Sequence, residues 1–86
     1  MNTPAQRTAA AAWLSWMLEH EKHSRTTLSR LLRCSTSVVD RVVEQHSSVA
    51  ARSWARAVHA HEEWSAAALT VMPPSVDAAI AKGSDS

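Results

Sequence analysis

Apolar residues recur along this chain at the three-to-four-residue spacing of helices, in blocks separated by short polar breaks. In the first block Trp13, Trp16, Met17 and His20 fall at i, i+3, i+4 and i+7, and Leu14 and Leu18 widen the stripe. Its start is well signalled. Thr3 can be the N-cap, Pro4 sits at the first helical position, and Gln6 closes a capping box. This helix is expected to reach His20–Lys22. After the polar break His23-Ser24-Arg25, Ser24 or Thr26 can cap a second helix over 27–33. Its Leu28, Leu31 and Leu32 face inward, and Arg30 and Arg33 face out. Cys34 to Thr36 form a turn, and Ser35 caps a third helix over 36–45. Val38, Val39, Val42 and Val43 are β-branched and in isolation would suit a strand. Their spacing from Cys34 and Ser35 favours a helix instead.

His46-Ser47-Ser48 is the next break and carries a candidate cap. A long fourth helix is expected over 49–71, with Trp54, Ala57, Val58, His61, Trp64, Ser65 and Ala68 forming its stripe. Pro73-Pro74 ends it. Ser75 can cap a last short helix over 76–82, closed by Gly83, with a disordered end at Ser84-Asp85-Ser86. Composition agrees with this pattern. Good helix formers dominate, there is one Gly, and Phe and Tyr are missing. The expected fold is all-α, four to five helices in one small domain over 1–72, followed by a short C-terminal helix and tail over 73–86.

The net charge of +1 hides an asymmetry. Lys22 to Arg56 holds seven Lys/Arg against two carboxylates, and the two flanks hold two Lys/Arg against six Asp/Glu. Such a basic segment is either a solvated face or a surface for phosphates. One cysteine excludes an internal disulfide, which fits a reducing cytoplasm. No signal peptide is expected, and the apolar run Ala9 to Leu18 is interrupted by Ser15 and too short to span a bilayer. His20 and His23 could share a helix face, but His59 and His61 diverge and no Cys-x-x-Cys exists, so no metal is expected. A nucleophile would need a positioned His and a pocket. This short chain without Gly-rich loops offers little of either, so neither enzymatic activity nor a cofactor is expected.

The segment Thr27 to Val43 carries the most information. Two short helices crossing steeply through a tight turn need an apolar residue followed by a small one, here Leu28 and Ser29. They also need an apolar anchor after the turn, here Cys34, and buried residues five and eight places later, here Val39 and Val42. The turn position that usually holds Gly holds Arg33. This pattern over Arg25 to Glu44 resembles the helix-turn-helix repressor superfamily. In size and layout the chain also resembles small plasmid-borne repressors of the KorC kind.

The resemblance implies double-stranded DNA as partner. It implies that Thr36, Ser37, Asp40 and Arg41 read base edges, Arg41 by a bidentate contact with guanine. Arg25, Thr26 and Thr27 would hold a phosphate at the start of the second helix, with Arg30 and Arg33 adding phosphate contacts. The alternative role of each Arg is a solvated surface charge, and that of Asp40 a helix-start charge. One recognition helix gives few base contacts, so a homodimer on an inverted-repeat operator is implied. The stripe Trp54, Val58, His61, Trp64 and Ala68 is the candidate dimer interface, unless it covers the rest of its own subunit. The expected function is a transcriptional repressor acting by operator occupancy. The competing expectation is a small helical adaptor or inhibitor from a mobile element, whose fourth helix engages a protein groove.

Overall fold

The computed structural model describes residues 3–19, 23–67 and 74–84, and its regular structure there is entirely helical. Five helices follow in order among the described residues: α1 (Pro4–Glu19), α2 (Arg25–Leu32), α3 (Thr36–Gln45), α4 (Ala51–Ala66) and α5 (Pro74–Ser84).

The capping box forms as the sequence implies. The Gln6 amide N–H donates to Thr3 Oγ1 and the Thr3 N–H donates to Gln6 Oε1, both at 3.2 Å. Downstream, Trp13, Leu14 and Met17 are buried, and Trp16 and Leu18 pack half-buried against them. Ala9, Ala10 and Ala11 are buried as well. Ala9 and Ala10 continue the Trp-Met stripe toward the start of the helix and Ala11 lies beside the Leu14–Leu18 edge, but small side chains did not mark them. His20 and Lys22 lie outside the described residues.

The second helix begins two residues earlier than its pattern implies. Ser24 is the N-cap, with its side chain accepting from the Thr27 N–H, and Thr26 sits inside the helix. Leu28 and Leu32 are buried, with Leu31 half-buried. Ser29 is also buried, and its hydroxyl is satisfied by donating to the Thr26 carbonyl at 2.8 Å. Helix α3 has the boundaries and the Ser35 cap that the sequence implies, with Val39 and Val42 fully buried. The valines go into a helix because tertiary burial outweighs their local preference, a difference of only ~1 kcal/mol on the strand scale.

Helix α4 starts later than expected. Its N-cap is Ala50, which offers no side-chain hydrogen bond, so none of His46, Ser47 and Ser48 caps it. The competing demand is Val49, 5 % exposed in the core. Residues 46–50 run irregularly to deliver it, and the helix opens beyond it. Helix α4 is described to Ala66; Ala68, Val71 and Pro73 lie outside the described residues.

Helix α5 opens on Pro74 rather than being capped by Ser75, with proline's fixed φ at a position whose N–H has no intrahelical acceptor. Gly83 is no left-handed closure. It lies inside α5, and no described glycine has a positive φ. A Cβ at Gly83 would come within 3.0 Å of Trp54 Cζ2 and 3.4 Å of the Gln6 Cα. Glycine is there for close approach. Val76 and Ile80 of α5 enter the same core as the other helices, and α1 packs against α5, α3 and α4. The C-terminal helix thus shares the core of the helices before it. Ser84 is helical, and Asp85 and Ser86 lie outside the described residues. No helix among the described residues is long and apolar enough to cross a membrane.

Candidate nucleic-acid interface

The α2–turn–α3 unit is built around Arg33. Its backbone is left-handed, at φ 53 and ψ 49. That conformation closes α2 twice over: the Arg33 N–H donates to the Arg30 carbonyl at 3.2 Å and the Cys34 N–H to the Ser29 carbonyl at 2.9 Å. The turn thus takes the geometry that Gly ordinarily supplies, with an arginine in it. Cys34 follows, half-buried against the core, and burial pushes its thiol above the usual pKa. Next, Ser35 caps α3, its side chain accepting from the Val38 N–H at 3.3 Å.

On α3, Thr36, Ser37 and Arg41 are exposed, the first two in the opening turn and Arg41 one turn on. Asp40 is half-buried, and its carboxylate is taken by Arg25, whose Nε donates to Oδ1. This pair ties the first residue of α2 to α3. Both side chains are about half exposed, at 55 % and 43 %, so the pair contributes at most ~1 kcal/mol and acts mainly by orienting Arg25. Thr26 and Thr27 are exposed at the same end. The Thr27 N–H and hydroxyl are both engaged by Ser24, so Thr27 does not present a free N–H to an anion.

Arg30 and Arg33 are exposed but stand elsewhere. They face Arg52 and Arg56 of α4 across a groove, so the five residues implied as phosphate ligands divide into two groups. Sequence reasoning counted Arg52 and Arg56 in the basic segment without giving them a role. The available signal was their i, i+4 spacing, which places both on one face of α4.

The stripe on α4 is turned partly inward, with Trp54, Ala57 and His61 buried. Trp54 is 8 % exposed and its ring lies against Gly83. The His61 side chain is buried, with Nε2 2.9 Å from Asp77 Oδ1 on α5. Trp64, half-buried, stacks on Trp13 at 6.1 Å between ring centroids and on His23 at 5.2 Å. Trp54, His61 and Trp64 are thus committed to their own subunit. Trp54 and His61 therefore offer little surface to a second subunit, whereas Trp64 keeps part of its surface open. Val58 remains half-exposed, and Ala68 lies outside the described residues. Among the described residues no group of three or more His, Cys, Asp or Glu is placed to hold a metal ion.

These features define an all-α molecule with a sharply turned helix pair on a basic segment. Comparison with known proteins gives no matching family, no matching characterised protein and no matching solved structure.

Proposed function

We propose that this chain is a sequence-specific DNA-binding protein, most simply a transcriptional repressor that acts by occupying its operator. The observation that supports this reading is the left-handed turn at Arg33, which joins α2 to a Ser35-capped α3 and leaves Thr36, Ser37 and Arg41 exposed at its start. A helix start presented in this way suits a major groove. Arg41 would supply the discriminating contact, with Thr36 and Ser37 reading bases less strictly. Arg25 and Thr26 would hold the neighbouring phosphate, Asp40 keeping Arg25 in place.

The reading includes a homodimer. The Cα trace extends 28 Å along its longest axis and carries a single candidate recognition helix, whereas half-sites one helical turn apart lie roughly 34–36 Å from each other, so each half-site calls for its own subunit. The adaptor reading has less support, since it needs the apolar stripe of α4 to face a partner and Trp54, Ala57 and His61 of that stripe are buried.

Selection from a random duplex pool tests the proposal. An inverted repeat should be enriched, with log affinity falling linearly against log salt. Arg41→Ala should lose roughly 1–3 kcal/mol on the selected site and relax one base-pair preference. No enrichment at low salt would end the DNA reading. Sedimentation of a strictly monomeric species that still binds the repeat tightly would end the dimer.

A further inference from the structure

The groove between α2 and α4 has a volume of about 660 Å³ and is lined by Arg30, Arg33, Arg52 and Arg56, with Leu31 and Trp64 as an apolar wall. Nine Lys/Arg occur in the whole chain, so this one groove gathers four of them. None of the four is ion-paired among the described residues. The single carboxylate in the lining, Glu63, lies 3.1 Å from Nε2 of His59. The start of α4 adds to the same sign. Its N-cap is Ala50, without a side-chain cap, its first turn has no acidic residue, and Arg52 stands there instead. Neither the exposed start of α3 (Thr36, Ser37, Arg41) nor the start of α2 (Arg25, Thr26, Thr27) lines the groove. It is a second site, separate from the face proposed to read DNA.

Guanidinium groups match phosphate oxygens two at a time, through parallel N–H donors in a fixed fork. Four such forks around one cavity suit a ligand with several phosphates close together. The cavity lies within the 300–1,000 Å³ typical of small-molecule sites, and the Leu31–Trp64 wall offers cover for an apolar or aromatic body. We propose that this groove binds a small organic polyphosphate, of the size and chemistry of a nucleoside di- or triphosphate. The inference stands independently of DNA recognition at α3.

Titration calorimetry of the full chain with ATP and with inorganic tripolyphosphate, both without metal, tests it. Wild type should bind both saturably, one per chain. Arg30→Gln, Arg52→Gln and Arg56→Gln should each weaken binding about tenfold, the loss of one charge-assisted hydrogen bond. Arg25→Gln and Arg41→Gln should leave it unchanged. Circular dichroism melts of each variant confirm that the fold is retained, and the three single substitutions keep the test readable should one of them unfold. Absence of saturable binding, equal affinity in the groove variants, or binding of tripolyphosphate without ATP would overturn the proposal. So would loss of affinity for a random duplex in Arg52→Gln and Arg56→Gln with polyphosphate binding intact, which would assign the groove to a DNA backbone.

Discussion

Arg33 adopts a backbone conformation that L side chains disfavour, at a cost of roughly 1–2 kcal/mol. The two closing hydrogen bonds at the end of α2, the burial of Leu32 and the partial burial of Cys34 hold it there. Arg33→Gly should relieve the strain. Glycine's larger unfolded-state entropy offsets part of the gain, leaving about 0.5–1 kcal/mol. Thermal melting should show a rise of a few degrees, whereas a fall would mean that the arginine side chain itself holds the turn. At Gly83 the balance runs the other way. Ala at Gly83 gains helix propensity, at most ~1 kcal/mol and less near a helix end. Its Cβ, however, would press on the Trp54 ring at 3.0 Å. Overpacking typically costs 1–3 kcal/mol, so Gly83→Ala should lower the melting temperature. An unchanged or raised value would mean that Trp54 can move aside. The sequence pattern placed the turn at Arg33 but not its left-handed backbone, and it misplaced the role of Gly83. Arg33 is the wrong residue type for the conformation it holds, and a lone glycine near a helix end looks the same whether it serves closure or proximity. Leu28, Val39 and Val42 were readable, because burial spacing survives whatever the turn residue is.

At the scale of elements, α3 was legible to the residue because its cap and its buried positions agree. Helix α4 was not. Ser48 reads as a cap, but Val49 is needed in the core, and that demand is invisible until its neighbours are placed. What fixes α4 is instead a contact far along the chain. Ser53, buried, donates its hydroxyl to the Leu32 carbonyl at 2.7 Å, one of the last carbonyls of α2. Ser53→Ala would strip that buried carbonyl of its partner and should cost about 1–3 kcal/mol. Chemical denaturation would measure it, and a loss below a few tenths would show that water or a neighbour replaces the hydroxyl. The same contact sets α4 beside α2 and so assembles the arginine groove. The groove could not be read along the chain, since Arg30 and Arg56 meet only once the two helices are docked.

For the whole molecule, α1 is the hub and α5 its most extensive cover. The packing of α5 on α1 was not legible along the chain, because the pattern of α5, Val76 and Ile80 on one face, is too short to announce what it packs against. Ile80 is 4 % exposed, so Ile80→Ala should cost roughly 2–5 kcal/mol, a large share of the 5–15 kcal/mol that holds a domain together. Tryptophan fluorescence and far-ultraviolet dichroism should fall together in a single transition. Loss of α5 alone, with Trp13 still buried, would mean that α5 unfolds as a separate unit. The clasp between Gln6 and the Gly83 carbonyl, 3.1 Å long, joins residues 77 positions apart. It has a consequence for how the chain is made. Synthesis delivers α1 before α5, so the face of α1 that packs on α5 lacks that cover until α5 is made. The growing chain must carry that face open, and chaperones have their longest access to α1, until the segment around Val76 and Ile80 has emerged.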